Sequence, residues 1–401
     1  MSPTWPPVGE ASPFGLHNLA WGVFSRPGEA PRVGVAVGDL VLDAGAVLGA
    51  PGGQDVFARP SLNAFLALGR DAWRRAREQV ADLLADPAQE DRVRPHLVPA
   101  AEATLHLPVE VADYVDFYCS EAHATNLGRM LRPQSEPLTP NWRHLPIGYH
   151  GRSGTVVVSG TPVRRPCGQR RVGGEAPVLG PTARLDFEAE VGFVVGTGQP
   201  LGHPVPAEAF ADHVVGVVLV NDWSARDIQA FEYVPLGPFL GKSFATSMSP
   251  WVVPLEALEA ARVPGPVQEP HPLAYLGGGG PWGLDLTLEV ALNGEVVSRP
   301  PARELYWSPA QMLAHLTVGG ASLRTGDLFA SGTVSGWAPG ERGSLIELSW
   351  NGAEPLVLPD GTTRSFLEDG DTVTISATAP GPGGTVVGLG AVTGTVVPPL
   401  T

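Results

Sequence analysis

The segment Leu185-Asp186-Phe187-Glu188-Ala189-Glu190-Val191 alternates apolar and acidic residues without a break. In an extended strand successive side chains point to opposite faces, so Asp186, Glu188 and Glu190 are expected on one face. Three acids on one face commonly form a solvated surface. Where further carboxylates converge on them, they form the oxygen-rich cage that Ca²⁺ and Mg²⁺ require. Two other segments offer such acids. Val214 to Val220 is almost wholly apolar and ends in Asn221-Asp222-Trp223-Ser224-Ala225-Arg226-Asp227, and a polar burst at the end of a buried strand gives a site a rigid support. Tyr114-Val115-Asp116-Phe117-Tyr118 supplies the other acid, with His123 soon after.

Among ten histidines, His123 is the candidate general base. An imidazole acting as base needs an acid that fixes its tautomer. Glu347 qualifies: read as a strand, Ser344 to Trp350 turns Glu347 away from Ile346, Leu348 and Trp350. Lys242 is the sole lysine among 26 basic residues, set in Gly241-Lys242-Ser243-Phe244. Its compact ammonium fits a tight site where the wide arginine fork does not. Gly237-Pro238-Phe239-Leu240-Gly241-Lys242-Ser243 imitates a phosphate-binding loop, but one residue too few separates its glycines. The signatures of zinc proteases and serine hydrolases, His-Glu-x-x-His and Gly-x-Ser-x-Gly, do not occur.

The elements that must position these groups are short strands. Leu19 to Phe24, Arg32 to Val37 and Leu40 to Leu42 predict a small N-terminal β-structure. A helix is expected from a Ser61 cap to about Leu84, with Phe65, Leu66, Trp73, Val80 and Leu84 near one face. Residues 88–110 are polar and then proline-punctuated, which predicts a boundary zone. Beyond them, strands are expected at Thr155 to Val158, Leu185 to Val195, Val214 to Val220, Leu284 to Leu292, Ser344 to Trp350 and Thr372 to Ile375. One helix is well signalled, with Ser308 as cap, Pro309 at its first position, Ala310 to Leu316 as its body and Gly319-Gly320 as its stop. The expected fold is mainly β with minor helices, in two domains: residues 1–108, without a chemical constellation, and residues 109–401, carrying the site.

Composition narrows the function. The 401 residues carry a net charge of -15, which opposes binding to nucleic acid or to an anionic membrane. Charged residues make up only 17%, while 50 glycines and 42 prolines favour strands and turns over long helices. The two cysteines, Cys119 and Cys167, make neither a disulfide framework nor a thiolate zinc site. With no signal-like start and no apolar run long enough to span a bilayer, a cytoplasmic protein is expected.

Several motifs, in order, resemble the fumarylacetoacetase family. They are Asp113 to Ser120 (Asp-Tyr-Val-Asp-Phe-Tyr-Cys-Ser), His123-Ala-Thr-Asn126, Pro140 to Arg152, Asn221 to Asp227, Tyr233 to Phe244 and Ser331-Gly-Thr333. The resemblance runs from about residue 110 to the C-terminus and is weaker before it. It implies a small SH3-like β-barrel N-terminal domain, a larger mixed β-roll C-terminal domain and a homodimer. It also implies hydrolysis of 4-fumarylacetoacetate to fumarate and acetoacetate, the last step of tyrosine and phenylalanine catabolism. Carried over by position, Asp116, Glu188, Glu190 and Asp222 would hold Ca²⁺, and Lys242 and Thr246 would line an Mg²⁺ site shared with Asp222. Asp186 is not a ligand in the family. His123 oriented by Glu347 would activate water, while Arg226, Gln229 and Lys242 would stabilise developing charge. Tyr118, Arg132, Tyr149, Gln229, Tyr233 and Thr333 would position the substrate. Cys119, Glu121, Ala122 and Ala245 depart from the family pattern, which bears on the acyl group accepted. The rival readings are another β-keto acid enzyme of the superfamily (an acylpyruvate hydrolase, decarboxylase or isomerase) and a catalytically silent metal-binding protein.

Overall fold

The computed structural model describes residues 5–400, apart from 6–7, 10, 50–54 and 174–175. Thirteen strands hydrogen-bond into one sheet that passes through the molecule. From one edge its path runs Leu97–Pro99, Leu40–Asp43, Arg32–Val37 and Trp21–Ser25. It continues through Trp251–Pro254, Val214–Asp222, Ala189–Val195, Leu328–Ala330, Tyr114–Phe117 and Gly148–Gly151. A second sheet joins Glu295–Ser298, Thr287–Leu292, Thr372–Pro380, Val386–Val397 and Val163–Arg164. The chain is mainly β with few helices, as its composition implies. Its N-terminal strands do not close into the expected barrel, because Trp21–Ser25 is taken up by the larger sheet through the pairs Trp21↔Val252 and Gly22↔Trp251. Residues 88–110 add Leu97–Pro99 and Thr104–His106 to these N-terminal strands.

Strand alternation divides the interior in two. On one face Val194, Val218, Val220, Leu328 and Ala330 pack with the N-terminal residues Trp21, Val35, Phe57, Phe65 and Trp73. On the other, Val191, Phe193, Val217, Leu219 and Phe329 pack with Leu288, Val373, Ile375 and Val392 of the second sheet. A strand buried on both faces has no solvated side. The 185–191 segment therefore presents no exposed acidic face, and Asp186, Glu188 and Glu190 are all buried. Nor is it one strand: Leu185–Asp186 pairs with Ser224–Ala225, and only Ala189–Val195 joins the main sheet.

Two further expectations are corrected. The helix expected from Ser61 to Leu84 is two helices, Asn63–Leu66 and Arg70–Ala85, and Ser61 does not cap the first. Gly69 between them has φ +84°, a left-handed conformation that breaks an α-helix. Phe65, Leu66, Trp73, Val80 and Leu84 are nonetheless buried as the pattern required. Ser344 to Trp350 is not a strand but carries the short helix Leu345–Leu348, and Trp350 and Asn351 follow at positive φ. The helix signalled at Ser308 forms as Pro309–Thr317 with a complete capping box from Ser308 and Gln311.

Candidate active site

Sheet register brings the acids together. Asp116 pairs with Ala330, which pairs with Gly192. Two residues before Gly192 on the same face is Glu190, paired with Val220. Two residues after Val220 on that face is Asp222, paired with Thr246. Residues opposite one another, or two apart on one strand, share a face. Asp116, Glu190, Asp222 and Thr246 therefore face the same way from four strands. Tyr149, paired with Asp116, joins them and donates its hydroxyl to Asp222 Oδ2 at 3.2 Å. Glu188 enters from the irregular segment just before Ala189. Carboxylate oxygens of Asp116, Glu188, Glu190 and Asp222 lie within 4.8 Å of one another.

This concentration of buried acid is only partly compensated. Lys242 Nζ donates to Asp222 Oδ2 at 2.7 Å and to Glu188 Oε2. Arg226 Nη2 lies 2.7 Å from Glu188 Oε1, and Arg226 Nη1 donates to Gln229 Oε1 at 3.3 Å. Thr246 Oγ1 donates to Asp222 Oδ1 at 2.8 Å. Burial alone would raise the Glu188 carboxyl, but Lys242 and Arg226 outweigh it and hold Glu188 below the usual carboxylate range. Desolvation tends to lower Lys242, yet Asp222 and Glu188 raise it further, so it keeps its proton.

Asp116 and Glu190 face the opposite balance. Burial first, and then the neighbouring carboxylates, push both well above the normal range. Both oxygens of Glu190 and Oδ1 of Asp116 are buried with no hydrogen-bond partner among the described residues. Buried carboxylate oxygens without donors are costly unless a proton or a cation neutralises them. All the free donors are oxygens, the set that hard divalent cations prefer. The cluster therefore fits a metal ion. The Lys242 ammonium, held between Glu188 and Asp222, supplies a countercharge on this flank.

Beside the cluster stands a second buried pair. His123 lies in the helix Glu121–Leu131, whose Ser120 cap accepts the His123 N–H at 3.1 Å. Its ring Nδ1 is 2.6 Å from Glu347 Oε2. That oxygen also accepts from Ser335 Oγ at 2.9 Å and Ser344 Oγ at 2.7 Å, and Asn126 Nδ2 donates to Oε1 at 3.0 Å. Burial would raise Glu347, but His123 and these donors overcome it and keep the carboxyl below its ordinary value. An ionised Glu347 fixes the proton on Nδ1 and leaves Nε2 as the basic nitrogen. The Tyr118 ring meets the His123 ring edge-on at 5.4 Å. Burial, Glu347 and Glu188 raise its hydroxyl, which stays protonated as a donor.

The other expected residues are placed less tightly. Thr333 is buried and its hydroxyl has no partner among the described residues. Arg132 donates Nη2 to Pro137 O at 2.8 Å, and its positive charge opposes the rise of the Tyr118 hydroxyl. Tyr233 is 44% exposed at the end of the helix Arg226–Glu232, bonded there through its backbone to Gln229. Of the positions that depart from the family pattern, Cys119 is buried and Glu121 is ion-paired with Arg143. Sequence reasoning missed Asn126, Ser335 and Ser344 as partners of Glu347, and gave Asp186 no task. Asn126, three residues after His123, and Ser344, three before Glu347, were the two whose spacing offered a signal.

Residues 17–108 match the family model described as Fumarylacetoacetase N-terminal, and residues 113–397 match Fumarylacetoacetate (FAA) hydrolase C-terminal. The chain is 48% identical to the fumarylacetoacetase of Homo sapiens over 98% of both chains. It is 46% identical to that of Caenorhabditis elegans, again over 98% of both, and 45% identical to that of Arabidopsis thaliana over 98% of this chain and 97% of the relative. Among solved structures, a fumarylacetoacetate hydrolase from Exiguobacterium antarcticum aligns with TM-score 0.57 at 17% identity, covering 95% of this chain and 99% of the other. A maleylpyruvate hydrolase from Sphingobium aligns with TM-score 0.52 at 17% identity, over 95% of this chain and all of the other. At that identity these structures speak for the fold alone. The full-length likeness to the curated relatives and the two matched models place the chain in the fumarylacetoacetase family.

Proposed function

We propose that the chain hydrolyses the C–C bond of 4-fumarylacetoacetate, giving fumarate and acetoacetate, the last step of tyrosine and phenylalanine breakdown. The observation that carries this reading is the buried His123–Glu347 pair beside a partly unsatisfied acid cluster. His123 Nε2 takes a proton from a water, whose oxygen adds to the carbonyl carbon on the fumaroyl side. Lys242, Arg226 and Gln229 stabilise the resulting oxyanion. When that intermediate collapses, the bond to the methylene carbon breaks and its electron pair leaves as the enolate of acetoacetate. The imidazolium of His123 then returns the proton to that carbon. Tyr118, Tyr149, Tyr233 and Thr333 orient the substrate, and Arg132 receives a terminal carboxylate through paired N–H donors.

Asp116, Glu188, Glu190 and Asp222 would hold a divalent cation, for which we propose Ca²⁺, acting as a Lewis acid on the diketone oxygens. An Mg²⁺ beside Asp222 would draw on the Thr246 hydroxyl and, at Lys242, on main-chain oxygen, because the ammonium is engaged with carboxylates. We further propose residues 1–108 and 109–401 as the two domains, a homodimer, and a cytoplasmic setting. Exposed Leu236 and Phe239, in the loop that leads to Lys242, support association. Among the described residues no helix is long and apolar enough to cross a membrane.

Loss of fumarylacetoacetate absorbance tests the assignment, with wild type, His123→Ala and Asp222→Ala all supplied with metal. Rapid loss in the wild type, absent in both variants, supports it. No turnover by folded, metal-supplied wild type overturns the substrate assignment and turns the search to acylpyruvates.

A further inference from the structure

We infer that Asp186 is a positioning residue of this reaction, a single carboxylate that holds Arg226 and the Glu347 helix in one frame. The inference rests on the roles proposed above for Arg226, Glu347 and His123. Asp186 is fully buried, and its oxygens are not among the clustered ones that fit a cation. Oδ2 lies 2.8 Å from both Nε and Nη2 of Arg226 and accepts the Ile346 N–H at 3.2 Å. Oδ1 accepts the Leu345 N–H at 2.7 Å and the Phe187 N–H at 2.8 Å. Leu345 and Ile346 open the short helix whose next residue is Glu347.

The consequence is a continuous path between the two halves of the site. Glu188 meets Arg226, Arg226 meets Asp186, Asp186 holds the first turn of the helix, and that helix presents Glu347 to His123. This one carboxylate serves both sets of donors, and Leu345 lies 159 positions from it along the chain. Without it, Arg226 would keep Glu188 as its only carboxylate partner and be drawn toward the acid cluster. Two N–H groups of the helix would lose their acceptor as well, which is costly in a buried place. Small displacements of reacting groups cost rate far more than they cost binding.

Asp186→Asn keeps the shape but must turn an N–H₂ toward one of the two sets of donors. Removing an orienting partner of this kind typically costs about 10–100-fold, so kcat is expected to fall by about that factor. KM should stay within about 3-fold, because Tyr118, Arg132, Tyr149, Tyr233 and Thr333, which orient the substrate, are not held by Asp186. Combined with Arg226→Ala and separately with Glu347→Gln, Asp186→Asn should cost at least about 3-fold less than it does in the wild type, since residues acting as a unit are not additive. Should Asp186→Asn fail to fold, Asp186→Ala assayed with added formate carries the test, formate being expected to restore kcat several-fold. Wild-type kcat in Asp186→Asn, or a loss that multiplies in full in both backgrounds, overturns the inference. So does Asp186→Ala that formate leaves unchanged. If Arg226→Ala and Glu347→Gln themselves retain full activity, the reading of the site fails and the anchor falls with it.

Discussion

Glu347 Oε2 lies 2.6 Å from His123 Nδ1, with both side chains buried and the two residues 224 positions apart in the chain. Three further donors surround that carboxylate, from Asn126, Ser335 and Ser344. A carboxylate so fully engaged cannot swing away, so the imidazole it holds is fixed in orientation before substrate arrives.

Glu347→Gln is therefore expected to lower kcat by about 10³-fold while leaving KM within a few-fold, because an amide turned to donate toward Nδ1 selects the wrong tautomer. Steady-state kinetics separate the two constants, and calcium titration by calorimetry should give a near wild-type affinity. A variant with kcat within 10-fold of the wild type would remove His123–Glu347 from the chemistry.

Glu190→Gln should change sign with metal. Without metal, both Glu190 oxygens are buried and unpartnered among other acids, so neutralising the side chain relieves repulsion and should raise stability by on the order of 1 kcal/mol. With metal, one charged ligand is lost and affinity should fall at least about 10-fold. Thermal melts in chelator and in excess Ca²⁺ check both halves. Destabilisation in chelator together with unchanged calcium affinity would show that Glu190 does not face a cation.

Asp327 provides a pH test away from the acid cluster. Burial pushes its carboxyl up from an ordinary 3.8 to about 6, with Asp113 adding to the effect and Arg324 opposing it. Between those values the folded state binds more protons than the unfolded one, so stability falls as pH rises from about 4 through 6. The loss should be about 2 kcal/mol after allowance for solvent screening. Asp327→Asn, whose side-chain oxygen can still accept the Arg324 N–H, should flatten that slope. Denaturant midpoints at pH 4.5 and 7 measure it, and parallel slopes for both proteins would refute the assignment.

Gly332 has φ +72°, and a Cβ there would stand 2.1 Å from Phe117 O. Gly332→Ala should cost about 2 kcal/mol or more, because strain and a clash with immobile backbone add. Thr333 would move with it, so KM should rise in the folded fraction. Urea unfolding and KM measured on one preparation test both, and unaltered values would mean that the backbone relaxes at little cost.

Much of the site was legible because carboxylates and histidine are rare inside proteins. Strand patterning picked out Asp186, Glu188 and Glu190 together with Asp116 and Asp222, and the family resemblance alone set Asp186 apart from the other four. What escaped was the environment. The 185–191 alternation predicts a strand with a polar side, but the sheet is covered on both faces, so the acids stand inside the molecule. Ser344 to Trp350 alternates like a strand and still folds as a helical turn, because Asp186 accepts the N–H groups of Leu345 and Ile346 there. Tertiary hydrogen bonds override a local period of two. The break at Gly69 was hidden for a related reason: the apolar stripe continues across it, as both helices pack on one core.

The pairing of Trp21 with Val252 has a meaning for heredity. The first hundred residues cover the same sheet face that displays the acids, and their leading strand completes the edge of Trp251–Pro254, just past Thr246. A descendant that lost this segment would bare Val194, Val218 and Val220 together with an unpaired strand edge, an invitation to aggregate. A gene fusion that supplied a different leading segment would have to match that register and that surface at once. Where the two matched segments meet on this shared face, a change in one is expected to require a matching change in the other.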